Sequence, residues 1–280
     1  MEPTTEVVTA RPAPALAGFI DHYLGYRMTG YPPGLHRGLP SRHLTFIVSI
    51  GPSIDVVAQT DPGQRPEDYR CVLSGLQASS AAIAHSGDQE GVTIALTPMG
   101  CRTLFGTPAS ALWNTSLECA DVAGPAGDEL WERLQGPAPW SRRFAICDDV
   151  LGRLARPDRL VTPELSWAWR TLVDSGGGVA IGPLADRIGW SRQHLARRFG
   201  AEFGVSPKLA GRITRFERAR RMIERVPAHI TIAQVAATCG YYDQAHLNRD
   251  FVELAGCSPT TWLAQEVTSV QDGSDVESAG

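Results

Sequence analysis

An internal repeat in the last third of the chain restricts the fold more than any other feature of the sequence. The segment LADRIGWSRQHLARRFGAEFGVSP (184–207) aligns with VAATCGYYDQAHLNRDFVELAGCSP (235–259) once the second copy is given one extra residue. Nine positions are then identical: Ala185/Ala236, Gly189/Gly240, His194/His246, Leu195/Leu247, Arg197/Arg249, Phe199/Phe251, Gly204/Gly256, Ser206/Ser258 and Pro207/Pro259. So many identities in so short a span indicate that this region contains two copies of one supersecondary unit.

Each copy has the pattern of two helices joined by a tight turn. Gly189 and Gly240 lie where the first helix ends, because glycine readily adopts the positive φ that closes a helix. Ser191 and Asp243 follow in the turn, and their side-chain oxygens are suited to cap the second helix. One face of that second helix is apolar in both copies, with Leu195, Phe199 and Phe203 in the first and Leu247, Phe251 and Leu254 in the second. This pattern predicts two helix-turn-helix units, a motif whose second helix lies in the DNA major groove.

The distribution of charge favours a nucleic-acid partner for this region. The whole chain has a net charge of −4, but residues 181–266 carry 12 Lys and Arg against 8 Asp and Glu. The densest basic run is KLAGRITRFERARRMIER (208–225), with seven basic and two acidic residues. Phosphate binding depends on the local patch, because salt screens charges beyond about 10 Å. Taken alone, the basic run has a second interpretation as the solvated face of a helix.

The second helix of each copy supplies the candidate DNA-contacting residues, which are Arg192, Gln193, Arg197, Gln244, Asn248 and Arg249. Arg197 and Arg249 each lie between two apolar core positions, about 200° around the helix from both, so they point away from the core. Arginine pairs with guanine, and Gln or Asn with adenine, through two hydrogen bonds. The alternative is that either arginine pairs with a neighbouring acid, for instance Asp250 or Glu253.

These two segments resemble the DNA-binding domain of the AraC/XylS family of bacterial transcription regulators. SRQHLARRFGAEFGVSP is similar to the family's first signature, and IAQVAATCGYYDQAHLNRDFVELAGCSPTTW is similar to its second. The chain departs from the family's usual residues at Tyr241, Leu247 and Trp262. Each of these side chains is large and apolar enough to fill the place of the usual aromatic residue. The resemblance implies two helix-turn-helix units joined by a long linker helix.

The resemblance also implies the organisation of the chain. The DNA-binding domain corresponds to residues 162–266, and its linker helix to Pro207 through about Arg225, before a proline that cannot continue the helix. The remaining segments are an N-terminal sensing or dimerisation domain (1–160) and an acidic tail (267–280) that we expect to be disordered.

The first 160 residues have the pattern of short strands followed by helices. We predict strands at 43–51, 54–58, 70–76, 81–85 and 91–97, and helices at 14–28, 101–113, 127–134 and 141–155. This order is typical of an α+β domain. LPSRHLTFIVSIG and GVTIALTPMGCRTLFG resemble the N-terminal domain of AraC-like regulators from high-GC actinobacteria. That resemblance suggests a cupin-like β-barrel with added helices, placed before the all-α domain.

The predicted helix at 141–155 is a candidate surface for self-association. Its apolar residues coat one face and are Phe144, Cys147, Val150, Leu151 and Leu154. In the regulators that this chain resembles, a comparable helix pairs two protomers, which implies a homodimer formed through the N-terminal domain. The alternative is that the apolar stripe packs on the chain's own barrel.

The sequence contains no pattern typical of an enzyme active site. Gly-x-Ser-x-Gly, His-Glu-x-x-His and Gly-x-Gly-x-x-Gly are all missing. His36, His43 and His85 fix no metal geometry through their spacing, so we expect no metal and no cofactor. The six cysteines are at least 18 residues apart, without the close pairs of a zinc site, and we expect them to be reduced and mostly buried.

The chain also has no pattern of membrane insertion or export. No apolar run approaches 18 residues, and the first ten residues carry acids where a secretory signal needs a basic patch. We therefore expect a cytoplasmic protein without a membrane partner.

Together these features predict a non-catalytic transcription regulator of the AraC/XylS type, which binds double-stranded DNA at two successive major-groove segments. The resemblance adds RNA polymerase as a partner and an unidentified small-molecule effector that acts through the N-terminal domain. Two alternatives stay open. The chain could be a regulator without an effector, controlled by a protein partner or by abundance. It could also be a DNA-repair alkyltransferase, whose chemistry needs a cysteine activated by a metal or a histidine.

Overall fold

The computed structural model describes residues 3–225 and 230–266. Within these ranges, the N-terminal half contains ten strands in two antiparallel sheets. The strands are β1 (Thr4–Ala10), β2 (Ile20–Thr29), β3 (Gly34–Gly38), β4 (Thr45–Ser49), β5 (Ile54–Ala58), β6 (Glu67–Tyr69), β7 (Cys71–Ser74), β8 (Ala81–His85), β9 (Gln89–Leu96) and β10 (Ser116–Glu118). The six-stranded sheet has the order β1-β2-β9-β4-β7-β10, and the four-stranded sheet has the order β3-β8-β5-β6.

Buried apolar side chains alternate with more exposed residues along the strands and form the core of the N-terminal half. In β4, Phe46 and Val48 are fully buried while Thr45 and Ile47 are partly exposed, as expected for a strand with one face on the core. The predicted strands at 43–51, 54–58, 70–76, 81–85 and 91–97 all correspond to observed strands, namely β4, β5, β7, β8 and β9. The expected order of a β-rich domain followed by a helical domain is therefore confirmed.

The segment 14–28, for which the sequence predicted a helix, is a strand over most of its length. A single 3-10 turn spans Pro14–Leu16, and β2 then pairs with β1 on one side and β9 on the other. The helix prediction was wrong because β2 is buried on both faces for several residues, and its apolar spacing therefore also fits a helix. Gly25 favours the strand locally, since it is a poor helix former and a Cβ atom there would lie 2.3 Å from the Trp140 ring.

Four helices complete the N-terminal half. They are α1 (Pro98–Phe105), α2 (Cys119–Ala123), α3 (Pro125–Leu134) and α4 (Trp140–Leu154). The predicted helix at 101–113 ends early, because Gly106 adopts a φ of 74° and caps α1; a short 3-10 turn follows at Ala109–Leu112.

Helix α4 does not present a free apolar face for self-association. Most of its apolar stripe is at most 6% exposed within the chain, namely Phe144, Cys147, Val150 and Leu151. The ring of Phe144 stacks on Tyr23 of β2 at 5.8 Å between centroids. The stripe therefore packs on the chain's own sheet, and the hypothesis that α4 pairs two protomers through it is wrong.

Seven helices form the described part of the C-terminal half, residues 161–225 and 230–266. They are α5 (Pro163–Asp174), α6 (Ile181–Arg187), α7 (Arg192–Phe203), α8 (Pro207–Arg225), α9 (Ile232–Thr238), α10 (Gln244–Ala255) and α11 (Pro259–Glu266). The Trp169 ring of α5 contacts Phe199 and Phe203 of α7 at 5.7 and 4.9 Å. Phe216 of α8 contacts Phe251 of α10 at 4.9 Å. The linker helix α8 spans the predicted residues, and the acidic tail 267–280 lies outside the described residues.

Candidate nucleic-acid interface

The two helix-turn-helix units begin their second helices with the same capping geometry. Ser191 Oγ accepts a hydrogen bond from the backbone N–H of His194 at 3.1 Å, at the start of α7. Asp243 Oδ1 accepts the equivalent bond from His246 at 2.7 Å, at the start of α10. Each cap satisfies a backbone donor that the helix itself leaves unpaired. The repeat in the sequence is therefore a repeat in the local structure.

The histidine that follows each cap packs on the aromatic residue of the turn. His194 lies edge-on to Trp190 at 4.7 Å between ring centroids, with 82° between the ring planes. His246 lies edge-on to Tyr241 at 5.2 Å and 84°. Matching ring pairs hold the turn against the second helix in both units. These contacts give both histidines a role in packing.

Five of the six candidate DNA-contacting side chains are exposed, and Asn248 is half-buried. Arg192 and Gln193 lie in the exposed first turn of α7, Arg197 lies one turn further along the helix, and the other three residues lie on α10. Within residues 3–225 and 230–266, none of these six side chains forms a hydrogen bond or an ion pair. All six are therefore accessible to a partner.

The acids that could have neutralised Arg249 bind a different arginine. Arg212 of α8 donates from Nε to Asp250 Oδ1 at 2.6 Å, and its Nη2 atom contacts Glu253. Asp250 is buried, so this ion pair attaches α10 to the linker helix. Arg249 keeps its charge on the outer face of the second unit.

Most arginines of the basic run in α8 have partners inside the chain. Arg215 Nη1 donates to the carbonyl oxygen of Gly177 at 3.2 Å, Arg220 pairs with Glu224 at 3.1 Å, and Arg221 contacts Glu217. Charge density along the sequence indicated this run as a DNA-binding candidate, but its guanidinium groups largely support the packing of α8. The candidate arginines of α7 and α10 are exposed, as are Arg187 of α6 and Lys208 and Arg218 of α8.

The sequence did not predict the contacts that join α7 and α10, the recognition helices of the two units, to the N-terminal half. Ser110 Oγ donates to the carbonyl oxygen of Ala201 near the end of α7 at 2.7 Å. Ser80 Oγ donates to the carbonyl oxygen of Ala255, the last residue of α10, at 3.3 Å. Both recognition helices are thus held at their C-terminal ends, and their N-terminal turns stay exposed. Short polar side chains far away in sequence carry no pattern that would predict such contacts.

A buried acid on the linker helix forms a second connection between the halves. Glu217 is 2% exposed and accepts hydrogen bonds from the backbone N–H and the guanidinium of Arg42, both at 3.2 Å. Burial alone would raise the pKa of Glu217, but Arg42 and Arg221 lower it to about 2. The carboxylate is therefore charged and paired over the physiological range of pH.

A cavity of about 1250 Å³ is lined by both sheets and by the linker helix. Its wall includes Tyr26 of the six-stranded sheet, Ile83 of the four-stranded sheet, and Arg220 and Arg221 of α8. A cavity of this size can enclose a small organic molecule. The enclosure of a cavity by two sheets agrees with the barrel that we expected.

The histidines of the cavity form two separate pairs. His36 and His85 lie 5.6 Å apart between ring centroids, and burial together with His85 lowers the pKa of His36 to about 4. His43 lies instead beside His22 and Asp21, where hydrogen bonds from the two histidines hold the pKa of Asp21 well below its usual range. The structure therefore does not bring His36, His43 and His85 together. In the described part of the chain, no group of three or more His, Cys, Asp or Glu side chains could hold a metal ion.

Comparison with known proteins agrees with this geometry. Residues 184–265, which contain both units, match the family described as "Helix-turn-helix domain". A curated protein of Mycobacterium tuberculosis, the HTH-type transcriptional regulator Rv1931c, is 36% identical over 135 residues. The C-terminal half therefore contains an AraC-type helix-turn-helix domain. The matched region spans 48% of this chain and 49% of the curated relative, so it covers about half the length of that protein.

The N-terminal half and the solved structures add information on the fold. Residues 8–118 match a family described as "Domain of unknown function (DUF6597)". Over 95% of its length, this chain superposes on ToxT of Vibrio cholerae bound to (E)-4-(8-methylnaphthalen-1-yl)but-3-enoic acid, with a TM-score of 0.51 and 9% identity. That match covers 99% of ToxT and supports a shared fold. The DNA-binding domain of AdpA in complex with a target DNA matches 40% of the chain and 100% of its own length, with 23% identity and a TM-score of 0.35.

None of the helices in residues 3–225 and 230–266 is long and apolar enough to cross a membrane.

Proposed function

We propose that this chain is a sequence-specific transcription regulator that binds double-stranded DNA with α7 and α10 in successive major-groove segments. The observation that carries the proposal is the matched pair of capped helices, whose outer side chains have no partner among the described residues. Arginine, glutamine and asparagine at these positions have the donors and acceptors that read guanine and adenine. The two units of one protomer would contact one face of the DNA about one turn apart.

A fluorescence titration of the full chain with DNA at several salt concentrations tests this proposal. Binding should weaken steeply as salt rises, because neutralising phosphates releases counterions. Footprinting should then show two protected groove segments per protomer. A flat salt dependence, or an absence of binding at low salt, would contradict DNA binding. Protection of one isolated segment would mean that the second unit has only a structural role.

The cavity in the N-terminal half is the candidate site for a small-molecule effector. Arg42 and Arg221 line it, and both also contact Glu217 on the linker helix. A molecule in the cavity would therefore touch side chains that join the two halves. An effector that binds two arrangements of the halves with different affinity would shift their populations and with them the affinity for DNA.

Thermal melting of the full chain against a library of small molecules tests this modulation. A true effector should raise the melting temperature of the chain and change its affinity for DNA. DNA should in turn change the affinity of the chain for the effector by the same factor. Ligands that raise the melting temperature without changing the affinity for DNA would leave control to a protein partner, such as RNA polymerase, or to abundance. Self-association through the N-terminal half stays a proposal and would require a surface other than the stripe of α4.

The state of the cysteines favours a regulator over an alkyltransferase. Five of the six cysteines are buried, and Cys257 is partly buried. Burial raises the pKa of Cys101 to about 12, so its thiol stays protonated. Alkyl transfer to cysteine needs a thiolate, which a lowered pKa would provide. The regulatory role that we propose needs no catalysis and fits a protein in the cytoplasm.

A further inference from the structure

The outer surface of the second unit is more apolar than that of the first. The side chain of Tyr242 is 93% exposed and that of Val252 is 54% exposed, and the methyl group of Ala245 is also on the surface. Tyr242 precedes the cap of α10, and the other two residues lie on α10 itself. Exposed apolar side chains that lie together on a surface indicate a contact with a partner.

These residues share the side of α10 that carries Arg249. Ala245 and Val252 are seven residues apart, which places them within about 20° of each other around the helix. Arg249 lies between them along the axis, roughly 40–60° away around the helix from each. The core residues Leu247 and Phe251 point to the opposite side and are fully buried. The apolar residues are therefore continuous with the candidate DNA-contacting surface.

The first unit lacks the large exposed apolar side chains of the second unit, although the methyl group of Ala196 on α7 is also exposed. In the aligned repeat, Gln193 and Gly200 take the places of Ala245 and Val252, and the extra residue of the second copy adds a tyrosine to the turn. The first unit also has a further exposed cation, Arg198, at the position of the buried Asp250. The two units thus present different chemistry to a partner on the same scaffold.

The major groove of DNA offers one apolar group, which is the C5 methyl group of thymine. Asn248 lies near Ala245 on α10 and can pair with adenine through two hydrogen bonds. We propose that the second unit reads A·T base pairs, with Ala245 and Val252 in contact with thymine methyl groups and Tyr242 packed against the flanking backbone. The tyrosine ring would lie on the sugar while its hydroxyl group donates to a phosphate. This inference rests on the DNA-binding function proposed above.

The distance between Ala245 and Val252 along α10 limits the number of base pairs that the two side chains can contact. Seven residues of helix rise about 10 Å, and successive base pairs are about 3.4 Å apart. Ala245 and Val252 therefore span about three base-pair steps. We expect two sensitive thymines at about this spacing in the half-site that α10 occupies.

Replacement of thymine by deoxyuridine tests the proposal, since it removes only the methyl group. A binding site is first selected with the full chain from a random DNA library and assigned to the two units by footprinting. Each thymine of the half-site covered by α10 is then replaced in turn. We expect affinity to fall about four-fold at each contacted methyl group, the effect of burying one carbon. Replacement in the half-site covered by α7 should have little effect.

Protein variants show which side chains cause the loss of affinity when thymine is replaced by deoxyuridine. Val252→Ala and Ala245→Ser should each remove the discrimination between thymine and deoxyuridine at one position, and both substitutions suit an exposed helix. Gln193→Ala, at the matching position of the first unit, should leave the deoxyuridine effect in the second half-site unchanged. Tyr242→Ala should weaken binding to all sequences by a similar factor, because its proposed partner is the backbone.

The outcomes separate this inference from the function on which it rests. Tight, salt-dependent binding and two footprints without any deoxyuridine effect would overturn the reading of thymine and leave DNA binding intact. An absence of binding would remove the proposed function itself. If the Tyr242 and Val252 variants bind DNA normally but lose transcription in a reconstituted assay, the apolar surface contacts a protein and the inference is wrong.

Discussion

Glu202 on the inner side of α7 forms a two-bonded ion pair with Arg102 of α1. The guanidinium Nε and Nη2 atoms donate to the two carboxylate oxygens at 2.7 and 2.8 Å. This planar arrangement is the strongest geometry that an arginine and a carboxylate can adopt. It connects α7 directly to the N-terminal half, on a side of the helix about 140° away from Arg197. The orientation of the first unit therefore depends on a residue about 100 positions away in the chain.

Breaking this pair should loosen the first unit from the N-terminal half. We expect Arg102→Ala to lower the free energy of unfolding by about 1–2 kcal/mol, because the carboxylate of Glu202 stays largely buried without its partner. Urea unfolding and limited proteolysis measure the effect. Arg133→Ala is the control, since its ion pair with Glu129 is on the surface and should contribute little. Equal effects of the two substitutions would contradict a special role for the Arg102–Glu202 pair.

Acid should weaken the connection made by Glu217. Its pKa is lowered in the folded chain from 4.5 to about 2, so its contribution is fully present above pH 4.5 and is lost as pH falls towards 2. The contribution is on the order of 3 kcal/mol. We expect the wild-type chain to lose more stability than Glu217→Gln between pH 5 and pH 2.5, measured by urea unfolding at each pH. Parallel pH profiles for the two proteins would show that Glu217 is not responsible.

Replacing Leu151 with Asp should disrupt the core of the N-terminal half. Leu151 is 1% exposed inside the chain, and an unpaired carboxylate there has no hydrogen-bond partner. We expect an insoluble or poorly packed product, or a melting temperature lower by more than ten degrees. Circular dichroism and light scattering measure both outcomes. A folded product of unchanged stability would contradict the burial of the α4 stripe in the core of the chain, and Asp149→Ala on the exposed side is the matched control.

Arg197 and Arg249 should have different roles in DNA binding. We expect Arg197→Ala to relax the preference at one base pair by about 1–3 kcal/mol, as for loss of a paired contact to guanine. Arg249→Ala should weaken binding to all sequences about equally and reduce the salt dependence by about one phosphate. Titration against a panel of single-base variants measures both effects. A lower melting temperature with unchanged sequence preference would show that Arg197 is structural.

Local patterns in the sequence were sufficient to predict the helix-turn-helix units. A cap, a helix-ending glycine and an apolar face all involve residues within a few positions of each other, so their geometry depends little on the rest of the chain. For this reason the caps at Ser191 and Asp243 and the bounds of α8 agree with the prediction. The same reasoning predicted the outward position of Arg197 and Arg249.

The tertiary structure decided the features that depend on distant residues. β2 is a strand because it lies between two other strands and because Gly25 leaves room for Trp140, 115 positions further along the chain. The arginines of α8 support packing because Glu217, Glu224 and the carbonyl of Gly177 come within reach. The cavity and the contacts between the two halves exist only after both sheets have closed against the linker helix. Periodicity and composition describe neighbours along the chain, whereas these contacts depend on which distant side chains the fold brings together.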